Sequence, residues 1–158
     1  MTNTSSWSSL TTGAYCWYDN DSTTNKNTYG ALYNWYAVNT GKLAPAGWHV
    51  PTDADWDTLS AYLGGYNVSG GALKEAGTTY WNSPNTGATN SSGFSALPGG
   101  CRSDDDSFYL IGYYGFWWSA SAGSASGAYD RNLYYKYSSL RRDDVDESCG
   151  FSVRLVRD

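Results

Sequence analysis

Apolar positions along this chain change their spacing about two-thirds of the way down its length. In the first part the spacing is helical. Within residues 29–38 (YGALYNWYAV), Leu32, Trp35 and Tyr36 fall on one face, which predicts a helix with a buried aromatic stripe, ended by Gly41 and Pro45. The clearest local signal follows at residues 51–65 (PTDADWDTLSAYLGG). Thr52 is a suitable N-cap, Asp55 stands three residues on to close a capping box, and Asp53 and Asp55 favour the positive end of a helix dipole. Trp56, Leu59 and Leu63 form the apolar stripe and Gly64–Gly65 the stop, so a helix of about three turns is expected. Beyond residue 110 the pattern alternates. Residues 112–120, 128–135 and 151–156 read as strands, as does the earlier stretch 12–19 (TGAYCWYD). In the second of the C-terminal strands, Tyr129, Arg131, Leu133 and Tyr135 share a face predicted to point inward. Asp130, Asn132, Tyr134 and Lys136 share the face predicted to point outward. Trp117 and Trp118 are adjacent and must point to opposite faces, with one expected in the core and the other at the base of an exposed surface.

Between these regions residues 70–100 are turn-rich, with a short helical piece expected at 72–76. A long connection, NSPNTGATNSSG, follows at 82–93. Loops of this length in a compact domain are usually functional or tightly self-packed. No internal repeat or composition break divides the chain, so residues 1–158 read as a single domain.

Composition sharpens this picture. Aromatic residues make up 17%, including 8 Trp and 15 Tyr, and there are 18 Gly, which points to an aromatic core carrying many loops. The segment from Gly115 to Asp158 has hydrophobic ends and a middle rich in Tyr, Ser, Asp, Arg, Lys and Asn. Tyr supplies rigid contact area and small polar residues supply adaptable hydrogen bonds, so this segment suits a recognition surface better than a core. Net charge is −5 and no basic stripe is present, which argues against a nucleic-acid partner. No run approaches the roughly 18 apolar residues of a membrane span, so no membrane insertion is expected. The first ten residues, MTNTSSWSSL, lack the charged and apolar regions of a signal peptide. An extracellular, cell-surface or virion location then implies a fragment separated from its export signal, or carriage on a virion. Three cysteines, Cys16, Cys101 and Cys149, leave at least one unpaired, and none has CxxC spacing.

Several long motifs occur together and in order: YGALYNWYAV, PAGWHVPTDADWDTL, LKEAGTTYWNSPNTGATNSSGFSALPGG, GFWWSAS and GFSVRLVRD. In these the chain resembles the Fibrobacter succinogenes major paralogous domain family from about Tyr15 to Asp158. The resemblance implies an α+β, C-type-lectin-like fold, with two helices packed on a small twisted antiparallel sheet bearing long loops, and with chain ends close together. Related folds include formylglycine-generating enzymes and ligand-binding proteins diversified by retroelements. In the latter the variable residues lie in a C-terminal segment, corresponding here to about 116–149. The chain departs from the family at Ala44 and Leu155, where members often carry Cys, and at Cys101 and Cys149, where they often carry Tyr. Both missing cysteines are absent together, as expected if packing replaces a bridge, and Cys101 and Cys149 are placed near each other beside the last strands.

The chemistry favours binding over catalysis. Calcium-dependent sugar binding needs converging carboxylate and amide oxygens, and the EPN or QPD and WND signatures of lectins are missing. Asp19–Asp21 is one acidic turn, and Asp104, Asp105 and Asp106 are the better candidates for weak Ca²⁺; no other cofactor is implied. His49 is the only histidine, in an apolar run that predicts a buried structural role, and no motif of the oxidases surrounds Cys101 and Cys149. The expected ligand-binding residues are Trp118, Ser119, Ser121, Asp130, Asn132, Tyr134, Lys136, Tyr137, Ser139, Arg141, Asp143 and Asp144. Their partner is expected to be a protein or glycan on another cell or host surface. A calcium-independent carbohydrate platform, with aromatic stacking by Trp117, Trp118, Tyr134 and Tyr137, is the alternative, and an oxidase of the formylglycine-generating kind the second. Asp143, Asp144, Asp146 and Glu147 form an acidic flank that would pair with Arg131, Arg141 and Arg142 or face a basic partner. Between Ala122 and Asp146 many residues are Ser, Ala, Gly, Asp, Tyr, Asn or Arg. Most of these are reachable from an Asn codon by changing only its adenines, the pattern left by retroelement diversification.

Overall fold

The computed structural model describes residues 6–158; Met1–Ser5, the first half of the segment read above for an export signal, lie outside them. The chain begins with β1 (Tyr15–Cys16), a 3-10 turn at Tyr18–Asn20 and the one-turn helix α1 (Ser22–Asn25). It continues through β2 (Leu32–Tyr33), α2 (Trp35–Val38) and β3 (Trp48–His49) into two longer helices, α3 (Asp53–Tyr62) and α4 (Tyr66–Leu73). The later regular elements are strands: β4 (Gly99–Arg102), β5 (Phe108–Ile111), β6 (Tyr114–Ala122), β7 (Gly127–Tyr134), β8 (Leu140–Arg141), β9 (Asp144–Asp146) and β10 (Val156–Arg157). The α+β class holds. Six strands form the main sheet in the order β5-β4-β6-β7-β8, with β9 pairing the other end of β7. Among the strand pairs of the described residues, the β4–β6 pair is the parallel one, at Gly100 opposite Gly115, with a further parallel bridge from Trp117 to Ser152. Two small antiparallel pairs, β1–β2 and β3–β10, close the rim.

Local chemistry explains most element boundaries. In α3 the Thr52 hydroxyl accepts the Asp55 N–H and the Asp55 carboxylate accepts the Thr52 N–H, the reciprocal box expected. Gly64 and Gly65, at φ 97° and 95°, supply the left-handed stop. The helix expected over residues 29–38 starts only at Trp35. Asn34 caps it by accepting the Ala37 N–H at 3.1 Å, and also accepts the Ala14 N–H at 2.8 Å. Leu32 and Tyr33 are therefore extended. The strand expected at 12–19 shortens to two residues because Asp19 and Asn20 turn through φ 53° and 55°.

The helical piece expected at 72–76 lies earlier, as α4. Its Gly70–Gly71 pair has poor helix propensity, but tertiary packing requires it. A Cβ on Gly70 would come within 2.5 Å of the Ser139 carbonyl oxygen, and one on Gly71 within 2.4 Å of that of Gly87. The 82–93 connection is the self-packed kind: Asn85 donates to the Glu75 and Gly77 carbonyls at 2.9 and 2.7 Å.

The main sheet is covered on both faces. On one, Trp117, Leu133 and Leu140 pack with Trp56 and Leu73 of the long helices and with Trp81 and Ala96. On the other, Trp118, Cys101 and Ala128 pack with Trp35, Val38, Val50 and Phe151. A third cluster, Trp7, Cys16, Tyr18 and Leu32, sits beside Arg102, whose guanidinium lies 4.6 Å from the Trp7 ring centre. Two-sided cover corrects the expectation for the tryptophan pair. Trp117 and Trp118 do point to opposite faces, yet both are buried, at 4% and 0% exposure. The expected strand at 151–156 reduces to bridges at Phe151 and Ser152, with regular pairing only at β10.

Candidate functional site

Strand β7 carries two buried polar networks, one on each face. Arg131 is inward as expected and fully buried. Its guanidinium pairs with Asp53 and Asp57 of α3, each at 2.7 Å, and Asp53 also pairs with Arg142 at 3.0 Å. Arg131 and Arg142 thus turn to α3 rather than to the acidic flank beside them, and among the described residues Arg141 pairs with neither. Arg142 has its pKa raised, with the Asp53 hydrogen bond the first cause.

Asp130 and Asn132 are the main corrections to the outward set, being 1% and 2% exposed. The 143 region is tied onto them by hydrogen bonds from and to Asp143. Asp130 accepts the Asp143 N–H at 3.0 Å and the Asn132 amide at 3.2 Å, while the Asn132 amide also reaches the Asp143 carboxylate at 2.8 Å. Burial pushes the Asp130 pKa up to about 7, against the lowering effect of these hydrogen bonds. Trp118 and Ser119 are buried as well. The half-buried Ser121 accepts the Asp53 N–H at 3.0 Å, and Asp144 accepts the Ser124 N–H at 2.8 Å. Trp118, Ser119, Asp130 and Asn132 build the support and do not face a ligand, whereas Asp143 and Asp144 stay exposed.

What the structure does bring together at the surface is the β7–β8 connection. Tyr137 is 48% exposed, and Lys136 and Arg141 are exposed beside it. The Arg141 guanidinium lies 5.3 Å from the Tyr137 ring centre, and the half-buried Tyr134 ring lies 5.4 Å from it. Tyr134 in turn stacks on Tyr114 at 4.4 Å. With Asn67, Thr86, Ser138 and Ser139, these three exposed residues line an open cleft of about 320 Å³. No carboxylate lines it.

The cleft rests on a residue the sequence did not single out. Lys74 has no exposed surface. Its ammonium donates to the carbonyls of Thr86 and Tyr137 at 2.9 Å each and of Tyr134 at 3.4 Å. Burial lowers its pKa to about 8, which still leaves it charged at neutral pH. Ser138 adds a hydrogen bond to the Asn67 carbonyl at 3.2 Å, and Gly71 accepts the chain closely by donating its N–H to the Ser138 carbonyl at 3.0 Å.

The remaining candidate chemistry is dispersed. Asp104 accepts from the Ser103 hydroxyl, Asp105 from the Ser107 N–H and the Tyr109 hydroxyl, and Asp106 from the Ser8 N–H and hydroxyl. These carboxylates diverge around the β4–β5 turn, and no group of three or more potential metal ligands occurs among the described residues. His49 is not buried as expected. Its side chain is 40% exposed and bridges Asp158 at 2.6 Å and Asp55 at 3.3 Å. All three thiols are free. The Arg102–Gly150 bridge brings Cys101 and Cys149 into the same neighbourhood, as expected, with no bond between them. Burial pushes their pKa values up to about 11 and about 12.

The profile of the Fibrobacter succinogenes major domain (Fib_succ_major) matches residues 1–157. The chain belongs to that family. No curated protein and no solved structure matches it at a significant level. Among the described residues of this family member no helix is long and apolar enough to cross a membrane.

Proposed function

We propose that this domain is a recognition module of C-type-lectin-like architecture, displayed on a cell or virion surface. It binds a protein or glycan through the β7–β8 connection and does not act as an enzyme. One observation carries the reading: Lys136, Tyr137 and Arg141 stand exposed around a cleft whose backbone is fixed by the buried Lys74 ammonium. Exposed Tyr and Arg on a rigid support are the residue types that dominate binding energy. The high thiol pKa values argue against oxidase chemistry through Cys101 and Cys149, since the thiolate is the reactive species. The diverging Asp104–Asp106 carboxylates argue against a calcium lectin.

Carbohydrate stacking on Trp117 or Trp118 is removed by their burial, which leaves Tyr137 as the platform for a glycan. Diversification is narrowed in the same way. Ser119, Asp130, Arg131 and Asn132 are each fixed in a buried bond, so tolerated variation falls to exposed positions such as Lys136, Tyr137, Arg141 and Asp144. Sequencing the encoding DNA from many individuals tests this: adenine-derived changes at the buried four would contradict it. The binding reading is tested by the double variant Tyr137→Ala/Arg141→Ala on glycan arrays and intact cells. Binding should fall by on the order of 100-fold, as for loss of two hot-spot side chains, with an unchanged melting temperature and no effect of chelator. Full retention of binding would overturn it.

A further inference from the structure

A second pocket, of about 290 Å³, opens away from the β7–β8 connection, between the chain after α1, the residues before β4 and the segment leading to β10. Its lining includes Lys26, Asn27, Ser95, Trp117, Ser152 and Arg154. Three features suit it to a ligand.

Its cations have no carboxylate partners. Arg154 is held by the Phe94 carbonyl at 3.0 Å and by the Phe94 ring, 4.4 Å from its guanidinium carbon. Among the described residues neither it nor Lys26 forms an ion pair. In a chain of net charge −5, a pocket with two such cations and no acidic lining residue is selective for an anion. Glu75 influences Tyr29 on the pocket wall but does not line the pocket.

The second feature is an unused indole donor. Trp7, Trp35, Trp81 and Trp118 each donate to a backbone carbonyl. The Trp117 indole, in a side chain only 4% exposed, meets no acceptor among the described residues and forms part of this pocket. Among the described residues the sealed indole N–H without a partner is that of Trp56; the Trp117 N–H keeps some accessible surface, so a ligand oxygen in the pocket can reach it.

The third feature is Ser95, a non-glycine residue at φ 54°. Asn90 holds it there by accepting its N–H and donating to its hydroxyl oxygen, both at 2.8 Å. The Ser95 hydroxyl proton is left to donate to another acceptor. The same two bonds hold its side chain in place at the pocket.

We propose that this pocket binds one acidic sugar unit, a uronic acid. Arg154 and Lys26 would take its carboxylate, while Trp117, Ser95, Ser152 and Asn27 would meet its ring oxygens. The volume is at the small end of ligand pockets, which run about 300–1,000 Å³. Hydroxyl and amide groups beside Leu97 and Val153 in one lining suit a sugar ring better than a bare inorganic anion. The site is independent of the Tyr137 cleft.

The test is a titration of the whole domain with glucuronate, followed by the indole N–H signal of Trp117 in two-dimensional NMR. Trp117→Phe identifies that signal by its disappearance. Glucuronate should shift it in a saturable manner. Glucose should bind on the order of tenfold or more weakly, as expected for loss of a charge-assisted hydrogen bond. Acetate and sulfate should each bind more weakly than glucuronate. Lys26→Gln and Arg154→Gln should each weaken glucuronate by about tenfold, whereas Lys42→Gln, a control outside the pocket, should not. Signal dispersion in the same spectra reports whether Arg154→Gln still folds, and Lys26→Gln carries the test if it does not. Equal affinity for glucose, an equal response to acetate, or no shift with glucuronate at tens of millimolar would each overturn the proposal.

Discussion

The buried Asp130 carboxyl makes stability depend on pH in an unusual direction. With a folded pKa of about 7 against 3.8 unfolded, the carboxyl is protonated in the folded domain and ionised in the unfolded chain across the interval between these values. The unfolded state therefore binds fewer protons there, and stability falls as pH rises. Below pH 4 both states are protonated and the contribution is intact; above pH 7 it is fully lost. A displacement of about three units at 1.36 kcal/mol each gives a loss of about 4 kcal/mol. Asp130→Asn keeps the shape, still accepts the Asp143 N–H, and removes the titration. Urea unfolding of both proteins between pH 4 and pH 8 isolates the effect, because titrating groups that do not interact with Asp130 cancel in the difference. The variant's stability relative to the parent should rise by about 4 kcal/mol across that range, with a slope near 1.4 kcal/mol per pH unit. A difference that stays flat with pH would refute the assignment of a buried, protonated Asp130.

Four other outcomes follow from the same geometry. Arg131→Met should destabilise the domain by about 3 kcal/mol in chemical unfolding, the low end for breaking a buried pair, since Asp53 retains Arg142 and Asp57 is half exposed. Lys74→Met strips the donor from three carbonyls, so the 134–137 and 86 amides should lose hydrogen-exchange protection and binding through Tyr137 should weaken even where the fold survives. Cys101 and Cys149 should react with a thiol reagent at pH 7.5 only as fast as the domain unfolds; rapid labelling of the native protein would contradict their raised pKa values. His49 has its pKa raised, first by Asp158 and then by Asp55, so its hold on the C-terminal strand is present below about pH 6.5 and fades as pH climbs through the folded value. Exchange of the Asp158 amide, corrected for intrinsic rates, should accelerate over that rise in the parent and be flat in His49→Gln.

Helix α3 was legible because its determinants are local: cap, stripe and stop lie within fourteen residues of Thr52. The inward parity of Arg131 and Leu133 followed from strand alternation, and the exposed Lys136, Tyr137 and Arg141 followed from a polar run after a strand. The alternate positions were misread for a definite reason. A sheet covered on one face and a sheet covered on both look alike when the second core is wetted by an Asp–Asn network. Asp130 is satisfied by a backbone N–H thirteen residues away, which no local pattern reveals. Lys74 is a stronger case, with acceptors 12, 60 and 63 residues distant. Strand β4 escaped because GGCR has little strand character, and Gly100 is required there only by the approach of the β5 backbone, at 2.4 Å from the Tyr109 carbonyl oxygen to a Cβ, and by its φ of 65°.

The Lys74 ammonium sits at the junction of two loops that are far apart in sequence, and this has a thermodynamic consequence for any ligand at Tyr137. A free surface loop must be ordered on binding, at roughly 0.5–1.5 kcal/mol for each immobilised side chain. Here the backbone has already lost that freedom during folding, to an interior cation. Association at this face should therefore show little change in backbone order, with an entropy term set by Tyr137, Lys136 and Arg141 side chains and by released water. A small site of this kind holds its partner by being ready for it, so affinity gained by substitution should come from slower dissociation, with the rate of encounter almost unchanged.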